Sequence, residues 1–136
     1  MIFLPIKPKY ALKIHQQQKL VEFRKVGFKR ASNICVVYAS SPVKKIIGYF
    51  VIEEVTEGTP GMIWKKYSRQ GCISKAEFYE YFASCEKAFA IKIKSYHALE
   101  EEIDPRERIQ DFHIPQSFRY LSDSEQKHLI PELAFA

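Results

Sequence analysis

Residues 17–24, QQKLVEFR, restrict what this chain can fold into more than any other stretch. Extended backbone sends alternate side chains to opposite faces, so Val21 and Phe23 form an apolar side while Glu22 and Arg24 share the other. Hydrocarbon on one side and charge on the other describes a half-buried strand, which requires a sheet with a core beneath it. Lys19 has the wrong parity for the Glu22 face on a straight strand, but a bend where the polar turn enters brings its long stem round to the same place. Two cations around one carboxylate admit two readings. One is an ion-pair network on a wet sheet face, worth little. The other is a polar cleft in which Lys19 and Arg24 hold a phosphate or a base edge while Glu22 orients them or accepts a hydrogen bond.

Upstream, IFLPI at 2–6 reads as a short strand ended by a proline, and Pro8 opens a helix reaching about Gln17, with Tyr10, Ala11 and Ile14 at helical spacing. Downstream of a basic loop, NICVVYA at 33–39 is an almost wholly apolar run, read as a central strand buried on both faces. Ser40, Ser41 and Pro42 form the turn that follows. KKIIGYFVIEEV at 44–55 is the longest strand pattern, and Gly48 in its middle marks a bulge or tight bend of the kind a small, nearly closed sheet needs.

Thr59 and Pro60 cap a helix carrying Trp64, and Ser74 with Glu77 is an S-x-x-E capping box for a second helix rich in aromatic residues. Trp64 belongs to the core by its position. Phe78 and Phe82, four apart, pack onto the sheet and leave Tyr79 or Tyr81 for exposure. AFAIKI at 88–93 alternates Phe89, Ile91 and Ile93 inward with Lys92 outward, and Glu100–Glu102 reads as a solvated turn or edge. Asp104 and Pro105 start a short helix whose cap Glu107 completes. HIPQSFRYL at 113–121 is extended by its proline. There Arg119 lies between Phe118 and Tyr120, as in a groove that stacks a base and grips a phosphate, or as in a closing strand whose aromatics fill the core. Ser122 and Glu125 cap a last helix, and Pro131 begins a tail.

With 136 residues the chain suits one domain, residues 1–136, with a core over about 2–121 and a C-terminal helix and tail over 122–136. No apolar run approaches a membrane span and MIFLPIKPKY is too short for a secretory signal, so a cytoplasmic protein without a membrane partner is expected. Cys35, Cys72 and Cys85 have spacing that suits neither a disulfide framework nor a metal pair, and no metal or other cofactor is expected. Cys35, inside an apolar strand, reads as an inert core thiol. Charge is uneven: residues 1–50 hold ten Lys or Arg against one acidic residue, Glu22, whereas 51–136 hold eleven against fifteen. A basic half gathered around the 17–24 stretch points to an anionic partner, of which nucleic acid is the commonest large one.

Lys19, Glu22 and Arg24 match, position by position, the Gly-x-Lys-x-x-Glu-x-Arg signature of the ASCH domain, with Gln17 where the glycine is expected. YASSP at 38–42, the VKKIIGYFVIEEV strand and PQSFRYL at 115–121 resemble ASCH proteins in order and spacing, so the resemblance covers about residues 2–121. It implies an α+β fold, a small PUA-like mixed β-barrel with peripheral helices. It also implies a cleft formed by Lys19, Glu22 and Arg24 and walled by Tyr38, Ser40, Ser41 and residues 116–120, with Gln116, Ser117 and Arg119 facing the ligand.

The function so implied is binding of RNA or of a modified or unpaired base, in transcription or translation control, with a protein partner as a further expectation. Hydrolysis is the alternative. Some relatives cleave an acyl amide on a modified cytidine with a Lys, Thr and Glu set, but the threonine position holds Glu22 here, which removes the nucleophile. Others cleave RNA, where Lys19 or Lys45 would stabilise the phosphorane and Tyr38 or Ser117 would transfer protons, with Glu22 as a further catalytic candidate.

Overall fold

Strand β1 (Ile2–Ile6) lies parallel to β3 (Ile34–Ala39), and the alternation of their side chains determines how the sheet is clad. Ile2, Leu4, Cys35 and Val37 turn to one side, where Ala11 and Ile14 of α1 (Pro8–His15) and Phe50 close over them. Phe3, Val36 and Tyr38 turn to the other. The computed structural model describes residues 1–134.

The remaining strands are β2 (Val21–Arg24), β4 (Lys45–Gly58), β5 (Ala88–Ile103) and β6 (Arg119–Tyr120), and the six lie in the order β2-β5-β4-β3-β1-β6. Helices α2 (Pro60–Tyr67) and α3 (Lys75–Tyr81) bury Ile63, Tyr67 and Phe78 against Val21 and Phe23 of β2 and Ala88 and Ala90 of β5. Beyond β5, α4 (Pro105–Arg108), α5 (Asp123–Leu129) and α6 (Pro131–Ala134) complete the chain. The core does not stop at residue 121. Leu129 and Ile130 are fully buried beside Phe3, Tyr38 and Phe112, so the C-terminal segment seals one face of the sheet.

Several local expectations hold for the physical reasons given. Gly48 sits at the β4 irregularity, where the register on β3 shifts between Val37 and Tyr38. A Cβ there would come within 2.6 Å of the His97 carbonyl, so only glycine lets β5 approach. Thr59 accepts from the Met62 N–H as the α2 cap, and Ser122 with Glu125 makes the full reciprocal box of α5. Cys35 is wholly buried, and burial pushes its thiol pKa up.

Others are corrected. α1 ends at His15, two residues early, in a Schellman turn: Gln18 N–H donates to the Lys13 carbonyl, Gln17 N–H donates to that of Ile14, and Gln17 is left-handed at φ 60°. β5 is one strand of 16 residues because the 14-residue β4 pairs with it from Ala88 to Ile103, and Glu100–Glu102 lie exposed within it rather than in a turn. Both faces of its first half are covered, with Ala88 and Ala90 on one cluster and Ile91 on another. Asp104 caps α4 by accepting from the Arg106 N–H, and Glu107 adds no bond to that cap among the described residues. None of the described helices is long and apolar enough to cross a membrane.

Candidate functional site: a cavity in the gap of the sheet

The Schellman turn after α1 supplies the bend that Lys19 requires. Leu20 and Val21 N–H then both donate to the Gln70 carbonyl, which holds the entry to β2 against the loop after α2. Val21 and Phe23 go under α2 and α3, and Glu22 and Arg24 face the other way, inside the curl of the sheet. This charged face is not wet: Glu22 is 5% exposed and Lys19 2%, so the strand is covered on both sides rather than half-buried. The curl brings that face against α1 and the 114–116 segment, which is why strand alternation alone understates its burial.

The three ionic groups form one chain. Lys19 Nζ donates to the Gly71 carbonyl and lies 3.5 Å from Glu22 Oε1; Glu22 Oε2 lies 3.3 Å from Arg24 Nη1. Glu22 Oε1 also accepts from the Phe23 N–H at 3.2 Å. Arg24 donates to the Pro5 carbonyl at 3.2 Å and, through Nη2, to the Ser117 carbonyl at 2.8 Å. β2 and β6 are the two outer strands of the sheet, and these bonds draw the β2 edge to β1 and to the segment entering β6. Burial pulls the Lys19 ammonium below the usual lysine range, and Glu22 restores part of that loss. The rings of Tyr10 and Phe23 lie 5.2 and 5.1 Å from the same ammonium.

Above this chain opens a cavity of about 690 Å³, which Lys19, Glu22, Arg24, Ser40 and Gln116 line. Tyr38, Ser41, Ser117, Arg119 and Lys45 do not line it. Tyr38 is buried beside Phe3, ring centroids 5.2 Å apart, and burial raises its hydroxyl pKa. Ser41 and Lys45 are exposed. Ser117 is exposed and touches the site through its backbone carbonyl alone. Arg119 is paired with Glu125, donates to the His113 carbonyl at 3.2 Å and lies over the Phe112 ring, so its guanidinium is taken up by the fold. Phe118 and Tyr120 pack edge-on at 5.7 Å, and the Tyr120 hydroxyl accepts from the N–H groups of Lys29 and Arg30. The aromatics there close the structure instead of offering a stacking groove.

The second wall was not read from the sequence. Tyr10, Ile73, Glu77 and Tyr81 line it. Ser74 accepts from the Glu77 N–H, but the Glu77 carboxylate does not complete the capping box: it takes the Tyr10 hydroxyl and, at 2.7 Å, Lys9 Nζ. Those two donors, Lys9 first, hold Glu77 below the usual carboxylate range. Burial first, and then Glu77, pushes the Tyr10 phenol above its own range. A capping-box spacing gives no hint of a partner 67 residues away.

A family model described as a domain of unknown function, DUF365, matches residues 1–121. A protein of Zymomonas mobilis named an ASCH domain-containing ribonuclease is 29% identical over 126 residues, 90% of this chain and 85% of that one. The crystal structure of ASCH from Zymomonas mobilis superposes with a TM-score of 0.88 at 28% identity, covering 96% of this chain and 93% of the other. The chain belongs to the DUF365 family and has the ASCH fold. A large ribosomal subunit protein of Ureaplasma parvum is 35% identical over 89 residues, which are 63% of this chain and 27% of that protein. The ASCH fold here is the α+β, barrel-like architecture expected, with its sheet curled and its gap bridged by Arg24.

Proposed function

We propose that this ASCH chain is a cytoplasmic RNA-binding protein acting in transcription or translation control, and that it takes single-stranded RNA across the mouth of the cavity. The observation that carries this reading is the cavity itself, of ligand size and floored by the Lys19–Glu22–Arg24 chain. Exposed cations stand at its rim: Lys7 lines it, and Lys25 Nζ lies 4.6 Å from the ring of Tyr81, which lines it too. The exposed Lys29 and Arg30 continue the basic surface. Retention of a labelled single-stranded oligoribonucleotide is expected to fall steeply with added salt and to weaken in a Lys7→Ala, Lys25→Ala double variant. Binding unchanged by either would overturn the proposal.

Cleavage of bound RNA is the second reading, favoured by the name of the Zymomonas relative. Lys45 and the Ser117 hydroxyl are exposed and open to a substrate, whereas the Tyr38 hydroxyl is shut in the core. Shortened products from labelled RNA, lost in Lys45→Ala, are the expected result under this reading; intact RNA after prolonged incubation rejects it.

A further inference from the structure

We propose that the chain carries a second anion site, at the C-terminal end of α2, which takes a phosphate monoester: the 5′-phosphate of an RNA end or of a free nucleotide. A hollow of about 430 Å³ opens there, and Lys65, Lys66, Ser68, Arg69 and Gln70 line it. None of these residues lines the cavity above the Lys19–Glu22–Arg24 chain. The sequence marks the place. Residues 51–136 are acidic on balance, yet 58–76 hold four Lys or Arg and no Asp or Glu. Three of those four cations meet in this hollow, and among the described residues no carboxylate lines it.

Lys65, Lys66 and Arg69 are all exposed, and none is paired with a carboxylate among the described residues. The end of the helix does not account for them. A helix C-terminus favours cations through a partial charge of about −0.5, but backbone N–H groups already take carbonyls of this one, Ser68 donating to Trp64 and Gln70 to Tyr67. Three full positive charges exceed that half charge several-fold. Lys66 Nζ lies 5.2 Å from the Tyr67 ring, a contact that does not use up its three N–H donors. Arg69 adds a planar fork suited to two phosphate oxygens, and the Ser68 hydroxyl and Gln70 amide add neutral donors. A monoester carries nearly two charges and three terminal oxygens, whereas a diester carries one charge and two, so the monoester uses this donor set more fully. The site also touches the frame of the cavity: the Gln70 carbonyl holds the Leu20 and Val21 N–H groups, and the next carbonyl, of Gly71, holds Lys19.

The test uses the whole chain, labelled for amide NMR, at fixed ionic strength. Adenosine 5′-monophosphate is expected to shift the amides of Ser68, Arg69 and Gln70 saturably, adenosine to leave them in place, and a Lys65→Gln, Lys66→Gln, Arg69→Gln variant to lose the response with its melting temperature unchanged. A short oligoadenylate with and without a 5′-phosphate separates the two sources. If the site takes an RNA end, the phosphorylated strand binds the parent roughly three- to tenfold more tightly than the hydroxyl strand and more tightly than the mononucleotide, and the triple variant loses that preference while Lys7→Ala, Lys25→Ala keeps it. If it takes a free nucleotide, the mononucleotide binds at least as tightly as the phosphorylated strand. The inference is overturned if no phosphate monoester moves the amides of 68–70 saturably, or if the triple variant responds as the parent does. Mononucleotide binding at 68–70 in a chain that retains no RNA would overturn the RNA reading above and leave this site standing.

Discussion

Arg24 Nη2 donates to the carbonyl of Ser117 at 2.8 Å, across 93 residues of chain, and so joins the edge of β2 to the segment that leads into β6. No backbone ladder links these two outer strands. A guanidinium suits this place because its fixed fork serves Ser117, Pro5 and Glu22 at once, whereas an ammonium is a point charge with flexible reach. One side chain thus closes the sheet and forms part of the cavity floor.

Arg24→Ala is expected to lower the unfolding free energy by about 3 kcal/mol in urea titration, because it leaves Glu22 buried with one cation fewer. Arg24→Lys should cost about 1–2 kcal/mol through the lost bonds to backbone carbonyls. In both variants the amides of residues 117–120 should exchange with solvent faster than in the parent.

Gln17 stands in the left-handed region at the end of α1, where ASCH sequences are expected to carry glycine. A side chain there costs about 1 kcal/mol, which glycine avoids. Gln17→Gly is therefore expected to raise the unfolding free energy by up to about 0.5 kcal/mol, net of glycine's greater unfolded-state freedom, seen as a higher denaturation midpoint with an unchanged m-value.

Gly71 gives its carbonyl to Lys19, and a Cβ on it would fall 2.2 Å from Phe23 Cε2. Phe23 is buried and packed edge-on against Phe78 at 5.0 Å, so the ring has little room to yield. Gly71→Ala should destabilise by about 1–3 kcal/mol. Displacing the loop also moves the acceptor of the Lys19 ammonium, so RNA retention should fall in the folded fraction as well.

The pH dependence follows from Glu77. Its folded pKa is held below the ordinary value of 4.5 by Lys9 and then Tyr10, so the unfolded chain binds the proton more readily. The stabilisation is present above about pH 4.5 and is lost as pH falls through the depressed folded value. In thermal melts between pH 5 and 3, Glu77→Gln should show a shallower decline than the parent, and the two curves should converge at the acid end.

Local chemistry in the chain was enough to read the caps at Thr59 and Ser122, the irregularity at Gly48, the double burial of β3 and the opposed faces of β2. Each of these depends on residues within one or two turns of each other, and helical and strand periods carry that information directly. The convergence of Lys19, Glu22 and Arg24 was legible for the same reason, since they lie within six residues. Contacts made across the fold were not. Glu77 has the spacing of a capping residue but bonds to α1, and Arg119 looks free between two aromatics but is held by Glu125 and the His113 carbonyl. Sheet order and curl decide which distant segments meet, and a carboxylate takes whichever donors that arrangement brings within reach. The face of β2 that parity marks as charged becomes the floor of a cavity only because the sheet curls until its two edges nearly meet.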